Sequence, residues 1–327
     1  MPYFNIVAET SENTVVTEYE PVKKRSDSYQ SEAELEQEFI RLLCEQGYEY
    51  LSIHTEKDLI VNLRKRLEEL NNYQFSDTEW DDFFKNAIAN PNEHIVEKTR
   101  KIQEDNIQVL TRDDGSSKNI TLIDKKNIHN NRLQVINQYK VNAATDSSKD
   151  SLGCVIGTEN GAKYNNRYDV TVLVNGLPLI HIELKRRGVA IREAFNQINR
   201  YQRDSFWAGY GLYEYIQIFV ISNGTDTKYY SNSTRRNAEK EHEKQGSSKT
   251  KTSNSFEFTC FWADANNRVI PDLIDFTKTF FAKHTILNIL TKYCIFTSED
   301  MLMVMRPYQI TATERILNRI EIANNYK

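Results

Sequence analysis

Residues 167–188 read RYDVTVLVNGLPLIHIELKRRG, and this stretch decides the fold. Its two apolar halves are rich in β-branched residues, so each half is predicted to be a β-strand. Asn175-Gly176 separates the halves. Asn-Gly between apolar runs is a strong hairpin signal, because both turn residues must take positive φ angles. The stretch therefore predicts two antiparallel strands joined by a tight turn.

This hairpin would bring acidic and basic side chains together. Side chains two residues apart on a strand share a face, so His181, Glu183 and Lys185 are expected on one face, which the core does not need. The hairpin would return Asp169 to the same place. Two carboxylates beside an amine suit a divalent metal ion and a phosphate. A solvated cross-strand ion pair is the alternative interpretation of Glu183 and Lys185.

The segments that follow favour a mixed α/β sheet. AIREAFNQINRYQRDSF, residues 190–206, has apolar residues at helical spacing, and Gln197 and Tyr201 share one face of that helix. A strongly apolar run at residues 215–222 is predicted to be another strand. The order strand, hairpin, strand, helix, strand predicts a mixed β-sheet flanked by helices.

The spacing of the charged residues carries a family resemblance. Asp169, then Glu183-x-Lys185, then Gln197-x-x-x-Tyr201 resembles the PD-(D/E)xK nuclease superfamily and its RecB-like branch. The sequence of residues 166–201 is similar to that of the restriction, or motor, subunit of type I restriction-modification enzymes. SYQSEAELEQEFIRLL, LIDKKN, FVISNGTDT and MRPYQITATERIL also match that family. The resemblance covers nearly the whole chain except residues 143–166 and 232–254, which are predicted to be polar, solvent-exposed insertions.

The resemblance implies Mg²⁺-dependent endonucleolytic cleavage of double-stranded DNA. Asp169, Glu183 and Lys185 would be the catalytic residues, and the residue before Asp169 is a tyrosine where the superfamily's name has proline. Asp169 and Glu183 would bind the metal ion, with Glu36 of the first helix as a further ligand. Glu32, one helical turn earlier, competes with Glu36 for that assignment. Lys185 would orient the attacking water and offset negative charge on the phosphate.

A local basic patch is predicted to contact DNA. The chain has 42 basic and 46 acidic residues, a net charge of −4, so phosphate neutralisation cannot come from the chain as a whole. The residues assigned to DNA binding or positioning are Gln197, Tyr201, Arg186, Arg187 and Arg200. A solvated helix face is the alternative interpretation of the arginines. The resemblance also implies modification (methyltransferase) and specificity subunits as partners.

Three regions are expected along the chain. They are a PD-(D/E)xK endonuclease domain at residues 1–265, a helical connector at residues 266–300 and the start of a RecA-like motor domain at residues 301–327. In the full-length motor subunit, the resemblance would place Gln309 near the adenine of ATP. No Gly-x-x-x-x-Gly-Lys-Ser/Thr occurs, so this fragment is not expected to hydrolyse ATP, and alone it is expected to cut weakly or not at all.

Composition is that of an ordinary soluble protein, and the resemblance implies the cytoplasm of a bacterium or archaeon. Of its 327 residues, 39% are hydrophobic and 27% charged, with no apolar run long enough for a transmembrane helix. The four cysteines form no Cys-x-x-Cys pair, which argues against structural zinc. Two other functions stay open: a stand-alone repair or junction-resolving nuclease, and a non-catalytic module that docks partner subunits.

Local signals predict several further elements. Ser31 and Glu34 fit a capping box for a helix that ends at Gly47. Its buried stripe would be Leu35, Phe39, Leu42 and Leu43. Helices are also predicted at residues 56–70, 76–88, 94–105 and 272–293, and strands at residues 119–123, 132–139 and 256–262.

Overall fold

A computed structural model describes residues 4–8, 16–19, 30–141, 165–245 and 254–325 of the chain. Its strands are β1 (Phe4–Ala8), β2 (Val16–Tyr19), β3 (Glu49–Tyr50), β4 (Ile107–Thr111), β5 (Ser117–Thr121), β6 (Leu133–Val141), β7 (Asn166–Val174), β8 (Leu177–Leu184), β9 (Ile218–Ser222), β10 (Thr227–Ser231), β11 (Cys260–Phe261), β12 (Cys294–Phe296) and β13 (Leu302–Val304). Its α-helices are α1 (Glu32–Glu45), α2 (Glu56–Asn71), α3 (Asp77–Phe83), α4 (Ile95–Gln103), α5 (Arg192–Asp204), α6 (Asn232–Gln245), α7 (Leu273–Phe280), α8 (Lys283–Thr291) and α9 (Pro307–Asn325).

The central element is a seven-stranded sheet in the order β11-β10-β9-β8-β7-β6-β3. The β3–β6 and β8–β9 pairs are parallel, and the other neighbours are antiparallel. The β1–β2, β4–β5 and β12–β13 pairs are separate two-stranded sheets. The predicted mixed α/β fold is therefore confirmed.

The predicted β7–β8 hairpin is present, with Asn175 at φ 52° and Gly176 at φ 86°. Val170 pairs with Ile182, so continuing the register by one residue sets Asp169 opposite Glu183. A Cβ atom on Gly176 would lie 2.6 Å from the Cα atom of Leu63. Helix α2 thus packs against the turn at a distance that only glycine permits.

Helix α1 has the predicted start and end. Ser31 and Glu34 form the capping box, and Gly47 follows the helix at φ 88°. The predicted stripe of Leu35, Phe39, Leu42 and Leu43 is buried. Phe39 contacts Phe281 edge to face, with ring centroids 5.3 Å apart, so α1 is fixed against the C-terminal helices.

Other predicted elements have different bounds. Residues 76–88 form α3, capped by Ser76, followed by a π-helical turn at Phe84–Ile88. The strand predicted at residues 256–262 begins instead with the end of a 3₁₀ turn, Asn254–Phe258, and only Cys260–Phe261 form a strand. The helix predicted at residues 272–293 is two helices, because it breaks at Phe281 and Ala282 between α7 and α8.

The two predicted insertions have different outcomes. Residues 143–164 lie outside the described residues. The prediction of an exposed excursion at residues 232–254 is wrong for its first half, since α6 begins there and buries Asn232, Arg235 and Ala238. Arg235 lies over the rings of Phe206 and Phe219, at 5.5 and 5.8 Å, so the start of α6 covers the aromatic core. Residues 246–253 are not described.

The C-terminal elements pack on the same body as the sheet. Tyr19 donates its hydroxyl hydrogen to Asp275 Oδ1 at 2.7 Å, and Tyr48 donates to the Phe281 carbonyl at 2.8 Å. No described helix is both long enough and apolar enough to cross a membrane. A cavity of about 370 Å³ lies among these C-terminal elements and is lined by residues such as Tyr19, Trp262, Ile289, Tyr293 and Ile310.

Candidate active site

The side chain of Asp169 is fixed across the β7–β8 pair. Its Oδ2 atom accepts a hydrogen bond from the backbone N–H of Leu184 at 2.9 Å. Asp169 is half-buried, and Leu184 is the last residue of β8. The bond directs the Asp169 carboxylate to the end of β8, next to Glu183 and Lys185, as the sequence predicts.

Glu183 and Lys185 form an ion pair at this strand end. Lys185 Nζ lies 3.2 Å from Glu183 Oε1 and also donates to the Leu184 carbonyl oxygen at 3.1 Å. The Lys185 side chain is 12% exposed and that of Glu183 is 0% exposed. The alternative of a solvated surface ion pair therefore does not describe this contact.

The expectation that this strand face is not needed by the core is wrong. Both Glu183 and His181 are completely buried. The ring of His181 packs edge-to-face on Tyr201 of α5 and on Phe206, with centroids 6.2 and 5.6 Å apart. Helix α5 and the residues after it cover the face, so the carboxylate of Glu183 lies at the boundary between core and surface.

Burial controls the protonation of the two carboxylates. It raises the pKa of Asp169 to about 7, and the negative charge of Glu183 contributes to that rise. Burial also raises the pKa of Glu183 to about 7, although Lys185 acts in the opposite direction. Near neutral pH the pair therefore holds protons that a bound cation would displace.

Glu36 reaches the same region from α1. Its carboxylate accepts hydrogen bonds from Asn137 Nδ2 at 2.6 Å and from the Gln138 side-chain amide. Burial raises the pKa of Glu36, and the charge of Asp169 adds to the rise. Glu36 thus lies within electrostatic reach of Asp169. Its competitor Glu32 instead accepts a hydrogen bond from the Arg186 backbone N–H at 3.3 Å.

Asn137 and Gln138 are site residues that the sequence analysis missed. Gln138 has φ 53°, a value that non-glycine residues rarely adopt. The β6–β7 register, with Asn137 opposite Val170, sets Gln138 opposite Asp169. Backbone strain of this kind often occurs at functional sites. No sequence motif marks these residues, because their link to Glu36 spans about a hundred positions.

Gln197 and Tyr201 are brought together, as their spacing predicts. Gln197 donates a hydrogen bond to the Tyr201 hydroxyl, which donates to the Arg167 carbonyl oxygen at 2.9 Å. Burial raises the pKa of Tyr201, and the nearby charges of Glu183 and Asp169 contribute. The pair joins α5 to the start of β7, close to the carboxylates. Their assignment to DNA positioning stays a prediction.

The three arginines of the predicted patch have different surroundings. Arg186 and Arg200 are exposed. Arg200 lies over the Tyr201 ring at 5.5 Å and favours the charged form of Glu183. Arg187 is largely enclosed, and its guanidinium lies 3.7 Å from Asp272 Oδ2, so its charge is partly neutralised by that carboxylate. Arg186 and Arg200 therefore have the exposure that a DNA contact needs.

The acidic residues suit Mg²⁺ better than a metal with many protein ligands. Within the described ranges, no three His, Cys, Asp or Glu side chains are arranged to hold a metal ion. Asp169 and Glu183 still offer two carboxylates beside each other. Mg²⁺ keeps several waters and is commonly bound by one or two carboxylates. One Glu183 oxygen, Oε2, is buried without a hydrogen bond, so the donor set fits this cation.

Comparison with known proteins identifies the family. The family model described as type I restriction enzyme R protein N terminus matches residues 29–238. This chain belongs to that family. The match includes both carboxylates, Lys185, Gln197 and Tyr201, so the candidate site lies within the R protein N-terminal region.

Individual R proteins are similar over most of the chain. The EcoprrI endonuclease subunit of Escherichia coli is 46% identical over 316 residues, which are 96% of this chain and 90% of that protein. The SsaAORF53P endonuclease subunit of Staphylococcus saprophyticus is 35% identical over 304 residues. The SauMSSORF170P endonuclease subunit of Staphylococcus aureus is 34% identical over 305 residues. The match covers 91% of this chain but only 28% of each staphylococcal protein.

Gln309 has a local role at the start of α9. It lies exposed in the first turn of α9, where its Oε1 atom accepts a hydrogen bond from the Arg306 backbone N–H at 2.8 Å. The bond caps the start of the helix, since the first N–H groups of a helix lack partners within it. The assignment of Gln309 to adenine binding stays a prediction.

Proposed function

We propose that this chain carries the Mg²⁺-dependent endonuclease activity of a type I restriction R protein and hydrolyses phosphodiester bonds of double-stranded DNA. The observation that carries the proposal is the convergence of Asp169, Glu183 and Lys185 at the end of β8. The order of these residues along the hairpin, and α5 beside it, support a PD-(D/E)xK core. The endonuclease subunits among the relatives agree with this chemistry.

Asp169 and Glu183 would hold the cation. Glu36 lies close enough to interact electrostatically with Asp169 and would add negative charge to the site. When bound, Mg²⁺ polarises the scissile phosphate and makes a water molecule more acidic. The Leu184 N–H keeps the Asp169 carboxylate in place before any ligand arrives. This preorganisation means that little of the binding energy is lost in ordering the carboxylates.

Lys185 would act on the phosphate. Its ammonium group lies beside both Glu183 Oε1 and the Leu184 carbonyl, so in the metal-free protein it partly balances the buried charge. Once a cation takes over that balance, the same group is free to donate to a phosphate oxygen and to orient a water molecule. A fixed positive charge there stabilises the negative charge that develops during hydrolysis.

Gln197, Tyr201, Arg186 and Arg200 would position the DNA around this centre. Arg186 follows Lys185 directly, and Arg200 neighbours Tyr201 on α5, so both cations flank the carboxylates. Contacts to phosphates orient a duplex without reading its sequence. This arrangement suits an enzyme that cuts at positions chosen by another part of the assembly.

We place the chain within a larger cytoplasmic assembly. The endonuclease subunits among the relatives are named as parts of type I restriction enzymes, and two of them are more than three times as long as the matched segment. We propose that modification and specificity subunits are its partners. ATP-driven translocation by motor domains of the full-length protein would precede the cut.

The direct test is cleavage of unmodified DNA by the full-length R protein assembled with its partner subunits. Asp169→Asn, Glu183→Gln and Lys185→Met each preserve side-chain size and should each abolish cleavage, while ATP hydrolysis persists. Asp82→Asn and Lys57→Met change exposed residues on α3 and α2, and both should cut at the parental rate. Parental cleavage by any of the three site variants would refute the proposal.

A further inference from the structure

We infer that His181 is a positioning residue that holds the Glu183 carboxylate in its metal-binding orientation through a hydrogen bond to Oε2. This inference rests on the proposed function, because it concerns the same carboxylate. His181 stands two residues before Glu183 on β8 and shares its strand face. Neither the family motif nor the predicted site includes it.

Two buried atoms without other partners face each other here. His181 Nε2 and Glu183 Oε2 are 3.5 Å apart, and both side chains are 0% exposed. In the described part of the chain, neither atom has a hydrogen bond to any other group. An unsatisfied buried polar atom is costly, so a small approach that joins these two atoms is favourable. Each of these two atoms can thus serve as the hydrogen-bond partner that the other lacks.

The opposite side of the imidazole supports the same arrangement. His181 Nδ1 lies 3.4 Å from Thr171 Oγ1, which lies 3.3 Å from the Tyr213 hydroxyl. A neutral imidazole has one donor and one acceptor nitrogen. In the inferred arrangement Thr171 donates to Nδ1, and the ring proton on Nε2 points at Glu183. The Tyr213 hydroxyl completes the chain through its contact with Thr171.

Aromatic side chains prevent the imidazole from turning away. The rings of Tyr168, Phe206, Tyr201 and Phe219 surround it at centroid distances of 5.6, 5.6, 6.2 and 6.3 Å, and all four contacts are edge-to-face. The two oxygens of Glu183 are therefore divided between partners. Lys185 contacts Oε1 from the rim, and His181 Nε2 lies next to Oε2 on the core side.

Such support is known to affect metal affinity. Groups that hydrogen-bond to a metal-binding carboxylate fix its orientation, and their loss commonly weakens metal binding about 10–100-fold. His181 should act in this way, by orienting Glu183, and should itself contact neither the cation nor DNA. Its removal should therefore change metal affinity while leaving the basic residues around the site unaffected.

Three substitutions separate hydrogen bonding from packing. His181→Phe keeps a ring among the aromatic neighbours but removes both nitrogens. His181→Gln retains an amide N–H near the position of Nε2, whereas His181→Asn retains one near Nδ1 only. Mn²⁺ binding to the full-length R protein, without DNA or ATP, is measured by calorimetry. Urea unfolding in EDTA reports on the fold separately.

The Phe and Asn variants should bind Mn²⁺ about 10–100-fold more weakly than the parent. The Gln variant should remain within about threefold, because its hydrogen bond to Oε2 is kept with altered geometry. Parental affinity in His181→Phe, or equal loss in Gln and Asn, overturns the inference. If His181→Phe does not fold, the difference between Gln and Asn decides the matter.

Asp169→Asn distinguishes this inference from the proposed function. If it abolishes Mn²⁺ binding while His181→Phe binds normally, the metal site stands and the role of His181 is refuted. If Asp169→Asn binds Mn²⁺ as tightly as the parent, the proposed metal site fails, and the inference about His181 fails with it.

Discussion

Replacing Asp169 by asparagine should make the metal-free protein more stable at pH 8 while removing its metal binding. Asparagine has the same shape and can still accept the hydrogen bond from the Leu184 N–H. What changes is the charge. Asp169 is half-buried beside a second carboxylate, and this raises its pKa from an ordinary value of 3.8 to about 7.

The magnitude follows from that rise in pKa. Each tenfold change in proton affinity corresponds to about 1.4 kcal/mol, so the ionised Asp169 costs the folded state roughly 4 kcal/mol. Part of this cost is repulsion shared with Glu183, and the two residues' costs do not add. We therefore expect a gain of about 2–4 kcal/mol in the free energy of unfolding.

The upward direction of the pKa shift of Asp169 determines the pH range in which the stability of the parent falls. Below pH 4 Asp169 is protonated in both the folded and the unfolded chain, and the parent has the full stability. As the pH rises from 4 to 7, the unfolded chain loses this proton first, so the parent becomes less stable. The variant has no such loss. The difference in stability should therefore grow from pH 4 to 7 and stay constant above.

Urea unfolding in EDTA at pH 5, 6, 7 and 8 measures this difference. Asp82→Asn is the matched control, because Asp82 is exposed on α3 and far from the site in sequence. Its stability relative to the parent should be nearly independent of pH. If the gap between Asp169→Asn and the parent is equally flat, the two carboxylates are not a buried, mutually repelling pair.

Three further predictions test other parts of the structure. Mg²⁺ affinity should rise by about 100-fold in all between pH 6 and 8, because Asp169 and Glu183, both with pKa values of about 7, must lose protons. Calorimetry showing flat affinity would contradict this. Gly176→Ala should lower the free energy of unfolding in urea by roughly 2–4 kcal/mol, since its φ is 86° and the new Cβ would lie 2.6 Å from the Leu63 Cα. Gly115→Ala is the control, because Gly115 has a similar φ and no close neighbour, and it should cost less. Equal losses in the two variants would be inconsistent with the tight turn. Tyr201→Phe should cost about 1–2 kcal/mol, because it removes the bonds to Gln197 and to the Arg167 carbonyl; an unchanged unfolding midpoint would show that these bonds contribute nothing.

Local features of the fold could be predicted from the sequence. The Asn175-Gly176 turn, the Ser31 cap and the register that sets Asp169 beside Glu183 depend on residues close together in the chain. Turn and cap preferences act over a few residues, so their signals are readable from one sequence. The Gln197–Tyr201 pair is readable for the same reason, since both residues lie on one helix.

Features set by distant segments could not be predicted. Strand alternation identifies the face that His181 and Glu183 share, but not that α5 would cover it. The polar sequence of α6 indicates a loop, yet its start is buried because Asn232 donates to Thr99 and Ser233 accepts from Leu302. The link between Glu36 and Gln138 likewise depends on the packing of α1 against β6.

We propose that Asp169 and Glu183 share one divalent cation. A crystal of the R protein soaked in Mn²⁺, with anomalous scattering data, tests it most directly. The expected result is an anomalous peak within ligand distance of a carboxylate oxygen from each residue, with the Lys185 ammonium displaced from Glu183. A fully soaked crystal in which both carboxylates are free of metal and Lys185 still pairs with Glu183 would contradict it.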